Sequence, residues 1–177
     1  MGGVRIPLHE ACVREGRLCD ICRSKVGSTV GEWEVEVMRA LLELSGRLNH
    51  RYESSAIAGK TLYVALEGAP VEGLEAELSR RVRVGGVSRV RVIFYSGGLE
   101  GLLRAVFGQP ILAVNRVYSS DGSSTIVVKV AKGDPGAAKL ASLLLKTEVV
   151  VEEEERRPAG GQVKVGKPDI RKVLERF

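Results

Sequence analysis

KTLYVALEGAPVEGLEAELSRRVRVGGVSRVRVIFY, residues 60–95, changes its hydrophobic period twice. Leu62, Val64 and Leu66 alternate, as the inward residues of a half-buried strand do. PVEGLEAELSRRV then reads as a helix, with Pro70 suited to its first turn. VSRVRVIFY returns to a period of two, with Arg89 and Arg91 on one face and Val90, Val92 and Phe94 on the other. A strand, a helix and a strand in this order ask for a sheet with a helix against it, so the fold class is α+β.

Upstream, HRYESSAIA is a second extended stretch, separated from the first strand by Gly59. Before it, Thr29 and Glu32 have capping-box spacing, with Thr29 as N-cap and Glu32 at the third helical position. Trp33, Val37, Leu41, Leu44 and Leu48 recur at helical spacing, which predicts an amphipathic helix over 32–46. Downstream the order repeats. GLEGLLRAVFG is a helix, ILAVNRVYS and STIVVKVAK are strands joined by the turn signal SDG, PGAAKLASLLLKT is a helix, and EVVVEEE is a strand. Residues 29–96 and 97–155 each read helix–strand–strand–helix–strand, with a Gly/Pro break before the last helix in both. Residues 1–28 form a separate lead-in, and residues 156–177 a basic tail rich in Gly and Pro, expected to be loosely packed or disordered.

Hydrophobic residues are 44% of the 177 and charged residues 28%, a soluble globular composition with enough apolar content for a core. No apolar run approaches the roughly 20 residues that span a bilayer, and the start lacks a signal-peptide core. The expectation is a cytoplasmic protein. The net charge of +5 is unevenly placed. Residues 156–177 alone carry seven Lys/Arg, including Arg156, Arg157, Lys164, Lys167, Arg171 and Lys172, against two acidic residues. A second cluster, Arg80, Arg81, Arg83, Arg89 and Arg91, has no acidic residue between Glu77 and Glu100. Such a patch meets phosphate, or it is a solvated face paired with the glutamates of the preceding helices.

All three cysteines fall in HEACVREGRLCDIC, residues 9–22, with the spacing His9-x2-Cys12-x6-Cys19-x2-Cys22. An odd number of thiols in a reducing compartment makes no disulfide framework. Cys19-x2-Cys22 is a knuckle spacing and His9-x2-Cys12 supplies another pair, so four ligands with no open position point to a structural zinc. A redox pair would want the CxxC at a helix start in a thioredoxin-like unit; three free thiols are the plain alternative. The lead-in has little core of its own, and a metal would order it.

Enzymatic signatures are missing. There is no phosphate-binding G-x-x-x-x-G-K-[ST] and no G-x-G-x-x-G between strand and helix. His9 and His50 are the only histidines, and no Ser stands in a G-x-S-x-G elbow. No carboxylate is singled out by an apolar setting, so general acid/base chemistry has no candidate. The expectation is a non-enzymatic protein without a small-molecule substrate. The tyrosines and phenylalanines are scattered, with no run of the kind that stacks RNA bases.

The chain resembles the archaeal KH-domain proteins related to the bacterial transcription factor NusA. The resemblance is carried by IPLHEAC…GRLCDICRSKV, by the helix GEWEVEVMRALLEL directly after it, and by ILAVNRVYSSDGSSTIVVKVAKGDPG, and it covers residues 5 to about 154. It implies two tandem type II KH-like units preceded by a small Cys/His knuckle, and RNA binding in transcription or RNA processing. In that family the knuckle typically starts with Cys where His9 stands, and His can replace Cys on zinc. The family's Gly-x-x-Gly phosphate clamp is degenerate in both units. EGAPVEGLEAEL has no such motif. Gly133-Asp134-Pro135-Gly136 spells it, but Asp134 would repel phosphate and Pro135 has no N–H to offer. A strand-to-helix turn is the better reading of that stretch. RNA would therefore be held by Arg80, Arg81, Arg83, Arg89, Arg91, Lys132, Arg156, Arg157, Lys164 and Lys167. Contacts of this kind position phosphates and carry little sequence information, so single-stranded RNA would be bound with weak selectivity. RNA polymerase or another ribonucleoprotein is the implied protein partner. The other reading is a scaffold that has lost RNA contact and binds protein.

Overall fold

The computed structural model describes residues 2–155, so the basic tail and its lysines and arginines lie outside the described residues. The elements in chain order are β1 (Gly3–Arg5), α1 (Glu10–Glu15), α2 (Asp20–Lys25), α3 (Glu32–Glu43), β2 (Asn49–Ala58), β3 (Thr61–Glu67), α4 (Leu74–Arg81), β4 (Arg89–Tyr95), α5 (Gly98–Phe107), β5 (Ile111–Tyr118), β6 (Ser124–Val130), α6 (Pro135–Leu145) and β7 (Glu148–Glu153). The protein is α+β with mixed sheets. Both predicted strings of helix–strand–strand–helix–strand are present, as α3-β2-β3-α4-β4 and α5-β5-β6-α6-β7.

The repetition extends to topology. In one sheet, of order β1-β2-β3-β4, β2 and β3 are antiparallel and β3 and β4 parallel. In the other, of order β5-β6-β7, β5 and β6 are antiparallel and β6 and β7 parallel. An antiparallel pair needs only a tight turn. The parallel return needs a crossover, and α4 and α6 supply it.

Two helix starts differ from expectation. The helix α3 begins at Glu32 with Gly31 before it, because Thr29 is already committed: its N–H donates to Lys25 O at 3.0 Å in the turn that ends α2. The capping carboxylate is Glu34, which accepts the Gly31 N–H at 2.6 Å. The helix also stops at Glu43, and a single 3-10 turn, Ser45–Arg47, follows. In α4, Pro70 is not in the first turn; the helix starts at Leu74, after Gly73 at φ 76°. That left-handed residue breaks the chain direction, with residues 72–73 as a turn and Pro70 outside the helix. The expectation holds in α6, where Pro135 is the first helical residue and Asp134 Oδ1 accepts the Ala137 N–H at 3.1 Å.

The core is layered. Val37, Met38, Leu41 and Leu42 of α3 and Leu74 and Leu78 of α4 pack on Leu62, Val64, Leu66 and Val90 on one face of the larger sheet. Each fully buried leucine contributes about 1.5–3 kcal/mol relative to exposure. Ala56, Ala65 and Tyr95 on the opposite face meet Leu102 of α5 and Leu144 of α6. The other sides of α5 and α6 cover Ile126, Val128, Val130 and Val149 of the smaller sheet. These two helices are thus held between the sheets. The smaller sheet's outer face stays open, with Val117 52% and Val150 42% exposed.

The lead-in is not an appendage. Its β1 runs parallel to β2, Val4 beside His50. Val4, Leu8, Val13, Cys22 and Val30 belong to the same buried cluster as α3, β3 and α4.

Candidate functional site

The His/Cys segment turns back on itself. His9 precedes α1, Cys12 lies in it, and Gly16 ends it at φ 70°, a conformation that costs glycine no Cβ clash. Cys19 then immediately precedes α2 and Cys22 lies in its first turn. The result brings one ring nitrogen of His9 and the Sγ atoms of Cys12, Cys19 and Cys22 within 4.8 Å of one another. Cys19 Sγ is 3.3 Å from His9 Nδ1, and the backbone N–H of His9 donates to Cys22 Sγ at 3.2 Å. All three thiols are free.

These four side chains could hold a metal ion. A tetrahedral ion with metal–sulfur bonds of about 2.3 Å needs sulfurs about 3.8 Å apart, and all four donor atoms lie within 4.8 Å of one another. The thiol acidities are set in opposite directions. Cys19 is pulled down to about 6 by the Cys22 backbone N–H first, with Cys12, Cys22 and His9 side chains adding to it against burial. Burial pushes the Cys22 thiol up, and the His9 N–H only partly opposes it. A thiolate at Cys19 is ready to ligate at neutral pH. The CxxC does open a helix, but α2 has six residues and follows α1, not a strand.

The arginines separate into two kinds. Arg80 and Arg81 close α4 and are paired: Arg80 lies 3.8 Å from Glu77, and Arg81 lies 3.5 Å from Glu77 and 4.0 Å from Glu43. Arg83 lies in the α4–β4 turn, and Arg89 and Arg91 lie on the edge strand β4 beside Thr61 and Tyr63. No carboxylate of the described residues stands within ion-pair distance of Arg83, Arg89 or Arg91. Lys132 is elsewhere, after β6, where its main chain is held by the Gln109 side chain at 2.6 and 3.2 Å. It shares a surface depression with Glu153, Glu154 and Glu155, a poor setting for an anion. Arg156, Arg157, Lys164 and Lys167 fall outside the described residues.

One carboxylate does have an apolar setting, contrary to expectation. Glu34 is 1% exposed. Its Oε1 accepts from Tyr52 Oη at 2.6 Å and from the Ser55 N–H at 2.9 Å. Its Oε2 accepts from Gly31 N and from Lys146 Nζ, the latter at 2.8 Å. Lys146 also donates to Thr29 O, and it is the one non-glycine described residue at positive φ, 53°. Burial pushes the Glu34 carboxyl up, but the hydrogen bonds from Lys146, Tyr52, Gly31 and Ser55 together hold it below its ordinary value. Burial and the neighbouring Glu34 charge push Tyr52 well up. Every lone pair of the carboxylate is engaged, so the network ties α6 to α3 and β2 and has no free valence for chemistry. The missed signal was position: Glu34, Val37, Met38 and Leu41 share one buried stripe of α3.

No protein-family model matches this chain, and no curated protein is significantly similar to it. No helix of the described residues is long and apolar enough to cross a membrane.

Proposed function

We propose that this is a non-enzymatic RNA-binding protein of the KH, NusA-like type. It acts in the cytoplasm in transcription elongation or termination, or in RNA processing, beside RNA polymerase or another ribonucleoprotein. The observation that carries this reading is the edge of the larger sheet, where Arg83, Arg89 and Arg91 have no carboxylate partner among the described residues. Guanidiniums left unpaired on one edge are available to phosphates. Binding of this kind is weakly selective and strongly salt-dependent. It is tested by fluorescence anisotropy of a labelled single-stranded RNA at low and near-physiological salt. Binding that weakens steeply with salt is the expected result; no binding even at low salt would overturn the reading.

We propose zinc as the ion of the His9, Cys12, Cys19 and Cys22 cluster, in a structural role. Three thiolates and an imidazole suit zinc, and four protein ligands leave no open position. Zinc bound there would pin α1 to α2. Elemental analysis of the native protein should give one zinc per chain, and none in the Cys19→Ser/Cys22→Ser variant.

A second reading has its own observation. Val117 and Val150 lie on the uncovered face of the smaller sheet, 52% and 42% exposed, and leave apolar surface there. A protein-binding scaffold without RNA contact would use that surface. Retained binding to polymerase or ribonucleoprotein in the absence of RNA binding would favour it.

A further inference from the structure

We infer that the end of α4, the α4–β4 turn and the start of β4 form a discrete pocket for one phosphate group. This deepens the RNA reading and rests on it for the source of that phosphate. A cavity of about 370 Å³ opens here, with Ser79, Arg83, Gly85, Ser88 and Arg89 in its wall. Its floor is apolar: Val82 and Val90 are 7% and 6% exposed. The wall is built by local constraints. Val82 leaves the helix in an extended conformation, Val87 N–H closes a turn on Val84 O at 3.2 Å, and Gly86 takes φ 79°. The N–H groups of Ser88 and Arg89 both donate to Lys60 O, at 2.8 and 3.2 Å. These hydrogen bonds, joined by one from Ser88 Oγ to the same oxygen at 3.4 Å, pin the turn to the hairpin tip.

The charges around the pocket favour an anion. Arg83 and Arg89 have no carboxylate within ion-pair distance among the described residues. The nearby acids are occupied: Glu75 accepts the Val92 N–H at 2.9 Å, and Glu77 faces Arg80 and Arg81. The C-terminus of α4 opposes an anion, but a helix end carries only about half a charge, against the two full charges of Arg83 and Arg89. Guanidiniums grip phosphate oxygens in pairs, and the Ser79 hydroxyl in the wall adds a donor. The volume suits a phosphate with its adjoining sugar. The ligand class is therefore a phosphate of RNA, either a backbone diester or a terminal monoester. The diffuse electrostatics of a basic tail would show neither saturation nor a fixed set of contacts.

The test uses the full chain in two arms. In the first, inorganic phosphate is titrated into isotope-labelled protein, with chloride at matched ionic strength as reference. Phosphate-specific, saturating amide shifts are expected at Ser79, Gly85 and Ser88, and are lost in the Arg83→Ala/Arg89→Ala variant. Both arginines are exposed, so an unchanged melting curve is expected for that variant. In the second arm, anisotropy compares a single-stranded RNA with and without a 5′-phosphate. The double variant should bind about tenfold more weakly with a salt slope lower by about two. Arg83→Lys/Arg89→Lys should recover part of the loss, and Arg104→Ala, whose side chain pairs with Glu100 on α5, should change nothing. Equal affinity for the two RNAs assigns the pocket to the diester, and a preference for the 5′-phosphate assigns it to the chain end. Phosphate shifts scattered over all basic residues, or none, would overturn the pocket. RNA bound equally by wild type and double variant would overturn it while leaving RNA binding intact. Saturating phosphate shifts without RNA binding would keep the pocket and sink the RNA reading.

Discussion

Residues 31–95 and 98–153 run through the same elements and close the same kind of sheet, yet they are buried differently. The first unit has cover on both faces of its sheet, from α3 and α4 on one side and α5 and α6 on the other. The second has cover on one face only. The first also takes in the lead-in, with β1 as a fourth strand and the His/Cys turn beside its core. Element order thus governs how strands pair, while burial is decided by what else each unit recruits. The two are joined by a polar seam, Glu34 to Lys146 and Ser54 Oγ to Leu144 O at 2.6 Å, beside a small apolar contact. The charges also part company: arginines without a carboxylate partner among the described residues edge the first sheet, and Glu152 to Glu155 end and follow the last strand of the second.

The comparison breaks most sharply at the proposed metal. With free zinc a thousand times its dissociation constant, binding stabilises the fold by about 4 kcal/mol. Chelation or Cys22→Ser should remove that amount. The ligands belong to the first unit alone, so amide exchange should rise first in β1, α1, α2 and α3. An equal rise in β5, β6 and β7 would mean that the two units unfold as one body.

The seam comes next. Glu34→Ala removes the acceptor shared by Gly31 N–H, Ser55 N–H, Tyr52 Oη and Lys146 Nζ, and leaves Tyr52 with Ser55 Oγ and Lys146 with Thr29 O. Breaking a buried pair costs about 3–5 kcal/mol. Lys146 is 37% exposed and can turn to water, so about 2–3 kcal/mol is expected here, read by urea unfolding. The pH dependence has a fixed sign. A carboxyl whose folded value is depressed gives stability that is complete above its unfolded value of about 4.3. That stability is lost as pH falls through the lower folded value. The difference between wild type and Glu34→Gln should therefore be constant above that range and shrink below it. A difference that grows on acidification would contradict the network.

Much of this was legible in the sequence, and the failures have physical causes. Alternation marked β3 through Leu62, Val64 and Leu66, and SDG marked the β5–β6 turn, where Asp121 Oδ1 accepts from Ser123 N at 2.9 Å and Gly122 takes φ 86°. The second cover on the first sheet was also written there, because LYVAL is a continuous apolar run, as in strands buried on both faces. Reading only the alternation hid it. Three-residue β1 has no period to read. Lys146 gave no local warning, since it stands in the αL position that ends α6, where glycine is usual, and its charge partner lies more than a hundred positions away in the sequence. Among the site residues, spacing brought His9, Cys12, Cys19 and Cys22 together correctly.

A smaller effect tests how closely the second unit approaches the first. A Cβ at Gly101 would stand 1.7 Å from the Ser96 carbonyl oxygen. Backbone cannot yield as a side-chain tip does, so Gly101→Ala should shift α5 and cost about 1–3 kcal/mol. Gly85→Ala, where nothing lies within 4 Å, is its control in the first unit and should be nearly neutral. Equal melting temperatures for the two variants would show that α5 has room to move.

The smallest effect contrasts the helices that cross over in each unit. The helix α4 starts after Gly73, which has no side chain to cap it, whereas α6 starts after Asp134, whose carboxylate takes the Ala137 N–H. Removing such a cap costs about 1 kcal/mol. Asp134→Ala should therefore lower stability by that amount, and Asp134→Asn should not, because Asn caps as well as Asp. The Asn variant also decides what Gly133-Asp134-Pro135-Gly136 is for. It keeps the cap and deletes the charge that would repel phosphate. If the stretch is only a helix start, RNA affinity stays at the wild-type value while stability is unchanged. Tighter RNA binding by Asp134→Asn would make this turn a phosphate clamp held off by one carboxylate, and the two units would then differ in their use of RNA as well as in their burial.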